Sequence, residues 1–319
     1  MKKIAVITSG GDCPGMNAAI RAVVRVALAQ GVEVWGIRNG YAGMIAGDMT
    51  ILDSRSVGDI IQKGGTFLGT ARSEEFKTLN GRQKAVANLE ARGIEGLIVI
   101  GGDGSLTGAR LLGELGIKIV GLPGTIDNDI WGTDYTIGFD TAVNTVLDAI
   151  NKLRDTASAH GRVMLVEVMG RNCGWIALTA GLAGGAEIIL IPEQPFSQED
   201  ICKQLLESRA KGKQYSIVVV AEGAGSGIDL GQYIRSRTGL ETRVSVLGHI
   251  QRGGAPTVSD RLLASRLAET AVTALLDGKT DVMIGYRNNQ CVEIAIADAV
   301  GNKKEIDREL YRLAEVLSQ

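Results

Sequence analysis

The chain has 319 residues, 45% of them hydrophobic, enough to bury roughly three-quarters of its unfolded surface and to build one large unit or two lobes. Its net charge of −2 gives no broad positive field for nucleic acid, and four Phe, three Trp and six Tyr are few for base stacking. Cys13, Cys173, Cys202 and Cys291 lie far apart, with only His160 and His249 as possible zinc partners, so no disulfide framework or zinc site is expected and a reducing cytoplasm is the expected location.

The apolar run Ile4 to Ile7 behind Lys2 and Lys3 is too short for an export signal and ends in glycines. It reads instead as a first strand. Further β-branched runs follow at Val32 to Ile37, Gly96 to Ile100, Lys118 to Leu122, Val163 to Val168, Glu187 to Ile191 and Ser216 to Ala221. Helical spacing lies between most of them. Ile20, Val23, Val24, Ala27 and Leu28 write one stripe, ended by Gly31, and Phe139, Val143, Val146, Leu147, Ile150 and Leu153 write another. The uncharged stretch Cys173 to Ala186 stops at Glu187, short of the ~20 residues that cross a bilayer, so no membrane role is expected.

Alternating buried strands and helices predict α/β architecture with mainly parallel sheets, whose ligands bind beyond the carboxyl ends of the strands. Glycines collect at those ends. Gly10-Gly11-Asp12-Cys13-Pro14-Gly15 leads into a helix, where free N–H groups suit a phosphate or simply make a tight turn. Met16 and Asn17 replace the Lys and Ser/Thr of a P-loop, and a dinucleotide fingerprint would need a different glycine spacing, which sets aside Walker chemistry and nicotinamide-dependent dehydrogenases.

Gly101-Gly102-Asp103-Gly104-Ser105 offers backbone to phosphates and one carboxylate, Asp103, to a magnesium ion, or else an Asp N-cap. Thr125-Ile126-Asp127-Asn128-Asp129 sets two carboxylates at i and i+2, on one side if the segment is extended, as a base and its neighbour or as a surface Asx turn. Arg72, Arg162, Arg171, Arg243 and Arg252 lie in or near loops, where guanidinium groups suit phosphate oxygens or stay solvated. His249, within Gly248 to Gly254, reads as a donor to a sugar hydroxyl or as a buried structural histidine.

Together with Thr8 to Asp12, Glu167 to Arg171 and Ala221 to Gly223, these motifs resemble the bacterial ATP-dependent phosphofructokinase family over essentially the whole chain. The resemblance implies two Rossmann-like lobes, residues 1–138 with 252–305 and residues 139–251 with 306–319, and an active site in the cleft between them. It implies transfer of the ATP γ-phosphoryl group to fructose 6-phosphate, the committed step of glycolysis. Gly11, Arg72, Ser73, Gly102, Asp103, Gly104 and Ser105 would hold ATP, Asp103 would serve Mg²⁺, and Asp127 would be the base beside Asp129, Thr125 and Arg171. Thr125, Ile126, Asp127, Met169, Gly170, Arg171, Glu222, His249, Ile250, Gln251 and Arg252 would line the sugar-phosphate site, with Arg162 and Arg243 from a neighbouring subunit of a homotetramer.

A second, intersubunit site for activating ADP and inhibiting phosphoenolpyruvate is also implied, at Arg21, Arg25, Arg154, Gly185, Glu187, Lys211, Lys213 and Tyr215. Tyr215 stands where regulated members often carry His, and Trp175 replaces an acid common in the family. Independently, Arg21 and Arg25 are i, i+4 neighbours on their helix. Glycine at 104 and 124, in place of Asp and Lys, favours ATP over pyrophosphate as donor. Diacylglycerol and NAD kinases share only the 101–105 pattern, and a non-catalytic nucleotide sensor would have no need of Asp127.

Overall fold

The computed structural model describes residues 1–318; Gln319, the last residue of the expected second lobe, lies outside the described residues. In chain order the elements are β1 (Lys3–Thr8), α1 (Met16–Ala29), β2 (Glu33–Ile37), α2 (Gly40–Ala46), β3 (Met49–Leu52), α3 (Leu79–Glu90), β4 (Gly96–Gly101), α4 (Asp103–Gly113), β5 (Lys118–Pro123) and α5 (Phe139–His160). There follow β6 (Val163–Val168), α6 (Trp175–Ala183), β7 (Ile188–Leu190), α7 (Gln198–Ala210), β8 (Ser216–Ala221), α8 (Gly227–Thr238), β9 (Thr242–Val246), α9 (Val258–Leu276), β10 (Val282–Arg287), β11 (Gln290–Ala295), α10 (Ile296–Gly301) and α11 (Arg308–Leu317).

The chain divides into two units, Met1–Thr141 with Arg252–Lys304, and Ala142–Gln251 with the residues from Glu305 onward. In the first, the sheet runs β11-β10-β5-β4-β1-β2-β3, parallel except for the antiparallel edges β3 and β11. Its central strands are apolar throughout because both faces are covered. Ile98 and Ile100 are fully buried, as are Leu97 and Val99, and each such side chain contributes about 1.5–3 kcal/mol by leaving water. The α1 stripe packs on α9. That helix ends where Gly31 takes a positive φ of 73° and donates its N–H to Leu28 O at 3.0 Å.

The chain leaves β1 for β2 on one side and reaches β4 on the other. The turns after β1 and β4 therefore flank the switch point of the sheet, the usual ligand crevice of this architecture.

The second unit holds an all-parallel sheet, β7-β8-β6-β9, over a core that includes Leu165, Leu190, Val218, Val220 and Ile234. The expected strand Glu187 to Ile191 is narrower, Ile188–Leu190, because the Glu187 carboxylate turns back to accept the Ile217 N–H. β3, β9, β10 and β11 were not foreseen; β3 is only four residues long, and Arg243 and Ser245, Arg287, and Gln290 and Glu293 shorten or interrupt the apolar runs of the other three.

Candidate active site

Three glycine-edged loops follow the adjacent strands β1, β4 and β5. Backbone bonds tie them to one another: Ser9 N–H donates to Ile100 O at 3.1 Å and Gly124 N–H to Gly101 O at 3.0 Å. A Cβ on Gly101 would lie 2.5 Å from Ser105 Oγ and 2.6 Å from Ser9 O, so the loops meet only because that side chain is absent. Residues 66–73 join the group. Thr8 Oγ1 donates to Gly69 O at 3.0 Å and Thr70 Oγ1 to Gly10 O at 2.7 Å. This leaves Arg72 exposed, while Ser73 Oγ accepts the Phe76 N–H at 3.2 Å. Arg252 lies beneath the first turn: its Nη1 donates to Asp12 O at 3.1 Å and would be 2.4 Å from a Cβ on Gly11.

The 101–105 loop runs directly into α4. Its N-cap is Gly102, so Asp103 is the first helical residue and not the cap. Partial desolvation of Asp103 raises its carboxyl above the ordinary range, an environment that a cation would relieve. Among the described residues no group of three or more His, Cys, Asp or Glu is placed to hold a metal ion. One carboxylate beside the free N–H groups at the start of α4 still fits Mg²⁺, which commonly takes one or two carboxylates and fills its shell with phosphate oxygens and water.

Gly104 faces open space, whereas a Cβ on Gly124 would lie 3.1 Å from Ile100 Cγ2 and 3.3 Å from Gly101 N. Position 124 is therefore tight for a larger side chain on packing grounds as well, and the donor argument rests more on 104. Ser105 is buried against Gly10 and Gly101, and its carbonyl accepts the Tyr41 hydroxyl at 2.6 Å. Tyr41 stacks on Phe76 at 3.8 Å, a support for this loop that the sequence reading missed.

The Thr125–Asp129 segment is not extended, which corrects the basis for placing its two carboxylates on one side. It bends at Ile126 and Asp127, and Asn128 takes a left-handed φ of 54°. The bend is held by the 134–137 segment: Thr125 N–H donates to Ile137 O at 3.1 Å, Thr136 Oγ1 to Thr125 O at 2.6 Å, and Thr136 N–H to Asn128 Oδ1 at 3.0 Å. Asp127 is only 4% exposed, Asp129 is half-buried, and the Ile126 side chain is wholly inside. Asp127 N–H donates to Thr125 Oγ1 at 3.2 Å, fixing the hydroxyl beside the acid.

In the second unit, Met169, Gly170 and Arg171 follow β6 and Glu222 follows β8. Glu222 Oε1 accepts the Gly170 and Arg171 N–H groups at 3.3 and 2.8 Å, holding Arg171 at a left-handed φ of 53° with its side chain exposed. Gln251 is fully buried; its Oε1 accepts the Met169 N–H at 3.2 Å and its Nε2 donates to Gly248 O at 3.0 Å, so its side chain braces the loop. His249 and Ile250 are exposed, which removes the buried structural reading of His249. The helix beginning at Trp175 takes an acid from elsewhere, since Glu193 Oε1 accepts the Gly174 N–H at 2.9 Å.

Arg162 and Arg243 lie at the opposite, N-terminal end of the β6–β9 pair, about 20 Å of strand away from Met169. Glu241, unremarked in the sequence, bridges them at 2.9 and 2.7 Å, and the hydrogen bonds from Arg162 and then Arg243 hold its carboxyl below the ordinary range.

Of the remaining cationic positions, Arg154, Lys211 and Lys213 lie in the second unit, apart from Met169 to Arg171. Lys213 pairs with buried Glu187 at 2.9 Å; Arg154 donates to Gly184 O and, at 2.9 Å, to Gly185 O, and lies 5.9 Å from the Tyr215 ring centroid. Glu187, Lys211 and Lys213 line a groove of about 1060 Å³ with Phe196, Ile201 and Tyr311. Arg21 and Arg25 are on α1 of the first unit, half-buried and exposed respectively.

The family profile described as phosphofructokinase matches residues 3–275. An ATP-dependent 6-phosphofructokinase of Clostridium botulinum and an ATP-dependent 6-phosphofructokinase 1 of Clostridium perfringens are each 57% identical over 319 residues, covering 100% of both chains. Among solved structures, phosphofructokinase from Saccharomyces cerevisiae matches with a TM-score of 0.90 at 38% identity; the present chain is covered completely and spans 48% of the yeast chain. A pyrophosphate-dependent phosphofructokinase from Marinobacter aquaeolei matches in fold, with a TM-score of 0.88 at 22% identity, covering 99% of this chain and 91% of that one. With a matching profile over most of its length, full-length relatives and the same two-unit α/β architecture, the chain belongs to the phosphofructokinase family.

Proposed function

We propose that the chain is an ATP-dependent 6-phosphofructokinase, transferring the γ-phosphoryl group of ATP to the 1-hydroxyl of fructose 6-phosphate to give fructose 1,6-bisphosphate and ADP in glycolysis. The observation that carries this reading is the 57% full-length identity to the Clostridium botulinum enzyme of that name. The loops after β1, β4 and β5 support it, because phosphoryl transfer depends chiefly on positioning and on neutralising charge.

Gly11, Arg72, Ser73 and Gly102 to Ser105 take the nucleotide, and Asp103 takes the Mg²⁺, which neutralises the phosphate oxygens when bound. Asp127 accepts the proton of the 1-hydroxyl as its oxygen bonds to the γ-phosphorus and the bond to the ADP oxygen breaks. Thr125 and Arg171 flank the moving group and Asp129 adjoins the base. Met169, Gly170, Glu222, His249, Ile250, Gln251 and Arg252 form the sugar-phosphate site, with Ile126 and Gln251 acting by holding backbone in place.

A coupled assay tests the donor and acceptor together. ATP with fructose 6-phosphate should give turnover well above that with pyrophosphate, in keeping with the open position at Gly104. Equal or faster turnover with pyrophosphate overturns the donor assignment.

The assembly proposed is a cytoplasmic homotetramer in which Arg162 and Arg243 serve a neighbour's sugar-phosphate site. Their position at the far end of the strands from Met169 supports sharing across subunits. So do the exposed apolar residues Val258 (75%) and Leu262 (60%), one turn apart on α9. Among the described residues no helix is long and apolar enough to cross a membrane.

ADP and phosphoenolpyruvate are proposed to bind Arg154, Gly185, Glu187, Lys211, Lys213 and Tyr215, with Arg21 and Arg25 supplied across a subunit boundary. Calorimetry should show weaker binding of both ligands to Arg25→Ala and Lys213→Ala. Unchanged binding with the active site blocked removes the assignment, and an unmoved fructose 6-phosphate saturation curve removes the regulation.

A further inference from the structure

Asp260 is a buried carboxylate, 1% exposed, that the reaction above does not use. It belongs to the first turn of α9, where Thr257 caps the helix and accepts its N–H at 3.2 Å. Its side chain serves another helix. Oδ1 accepts the Gly138 N–H at 2.8 Å, and Oδ2 accepts both the Thr141 N–H at 2.8 Å and the Thr141 hydroxyl at 2.5 Å.

These are the first N–H groups of α5, whose entering residue, Gly138, has no side chain with which to cap them. The arrangement is reciprocal. Thr141 Oγ1 accepts the Thr257 N–H at 3.0 Å, and Thr257 Oγ1 donates to Asp140 Oδ2 at 2.6 Å, so the starts of α5 and α9 cap one another.

What Asp260 holds leads to the reacting loops. Ile137, next to Gly138, donates its N–H to Pro123 O at 2.9 Å, and its carbonyl accepts both Thr125 N–H at 3.1 Å and Cys13 S–H at 3.0 Å. One residue thus fixes the start of the Asp127 loop and the turn after β1. Two glycines close the contact. A Cβ on Gly138, at φ 101°, would lie 2.6 Å from Cys13 Cβ, and one on Gly15, at φ 103°, would lie 2.7 Å from Ile137 Cγ2 and 3.6 Å from Asp260 Cβ.

We infer that Asp260 is a positioning residue for phosphoryl transfer: through Gly138 and Ile137 it keeps the Thr125–Asp129 loop in register with the Gly10–Gly15 turn. The inference depends on the proposed activity for its kinetic readout alone. Misplacement of reacting groups by about 1 Å costs on the order of 10²-fold in rate, so a cap one shell away from the reacting groups has leverage on turnover.

The test uses the full chain with Asp260→Asn, Thr141→Val and Thr141→Ser. Asn keeps a single acceptor oxygen, so it can serve Gly138 or Thr141 but not both. Asp260→Asn should lower kcat by about 10-fold or more while both KM values stay within about 3-fold; Thr141→Val should give a smaller loss, and Thr141→Ser should restore it. Labelling of Cys13 by a thiol reagent, followed by peptide mapping, reads the register directly. Cys13 is fully buried in the parent and should label faster in Asp260→Asn and Thr141→Val but not in Thr141→Ser. A normal kcat, or a loss that Thr141→Ser shares with Thr141→Val, overturns the inference, as does unchanged Cys13 protection. If Asp260→Asn does not fold, the Thr141 pair decides the matter. If the parent itself does not phosphorylate fructose 6-phosphate, the functional reading fails and the labelling still decides whether Asp260 holds the two turns together.

Discussion

The two units secure their loops by different means. In the first, the turns after β1, β4 and β5 are joined by backbone hydrogen bonds and by glycines that let main chains touch. In the second, side chains do the holding: Glu222 on Gly170 and Arg171, Gln251 on Met169, Glu193 on Gly174, and Glu167 on Gly227 at 2.7 Å. A backbone-held loop resists side-chain replacement and fails when a Cβ is added; a side-chain-held loop fails when one acceptor is lost.

The largest expected effect separates chemistry from scaffold. Asp127→Ser should lower kcat by about 10²–10⁴-fold, while Thr136 and Ile137 still hold the loop through Thr125 and Asn128. Near-parental turnover would remove Asp127 as base. Gly138→Ala should act in the opposite sense, costing about 2–4 kcal/mol in a denaturation experiment through positive-φ strain and the clash with Cys13. A cost below about 1 kcal/mol would show that the two turns are not interlocked.

Asp260 holds a first-unit loop with a side-chain carboxylate, as Glu222 does in the second unit, and pH sharpens the comparison. Burial lifts its pKa from 3.8 to about 6, against the pull of its hydrogen bonds to Thr141 and Gly138. A raised carboxyl binds its proton more tightly in the native state than in the unfolded one, so its ionisation costs stability at pH 7 and this cost disappears between about pH 6 and 4. The parent should therefore gain on Asp260→Asn, by about 1–3 kcal/mol, as the pH falls from 7 to 4. A parent that loses ground would mean that the three donors outweigh burial.

The smallest effect expected is in the second unit. Glu222→Gln keeps the one oxygen that accepts from Gly170 and Arg171 but removes the charge that strengthens both bonds, and should raise the KM for fructose 6-phosphate by about 3–10-fold, with the KM for ATP unchanged. An equal change in both would mean that the 169–171 loop is not specific to the sugar.

What the sequence made legible follows from the same contrast. Strands buried on both faces, such as Gly96–Gly101 and Ser216–Ala221, announce themselves as unbroken β-branched runs, and the glycines after them marked the loops correctly. Edge and partly covered strands such as Thr242–Val246 mix Arg and Ser into the run and were not seen. Tertiary support was invisible for a different reason. Thr257 and Asp260 are spaced as a local cap for α9, a pattern the sequence analysis did not single out, while the carboxylate itself serves Gly138 and Thr141, far away in sequence. The left-handed turn at Asn128 had a local signal, since Asn is among the few residues that adopt it readily, and the Asx-turn alternative used it; what the sequence did not show is that the turn is buried, with Asp127 and Asn128 almost wholly inside.

The order of the chain has a consequence for biosynthesis. The first sheet is interrupted: β5 ends at Pro123, and its neighbour β10 begins only at Val282, after all the strands of the second sheet. As the polypeptide emerges from the ribosome, β5 is an unpaired parallel edge of apolar residues, and the α1 stripe waits for α9. Exposed edges of this kind are where nascent chains associate with one another. Release of a chain truncated before Val282 should therefore yield aggregation-prone material even though every strand of the second sheet is present, and a chaperone that shields the β5 edge during synthesis should raise the yield of the full-length protein.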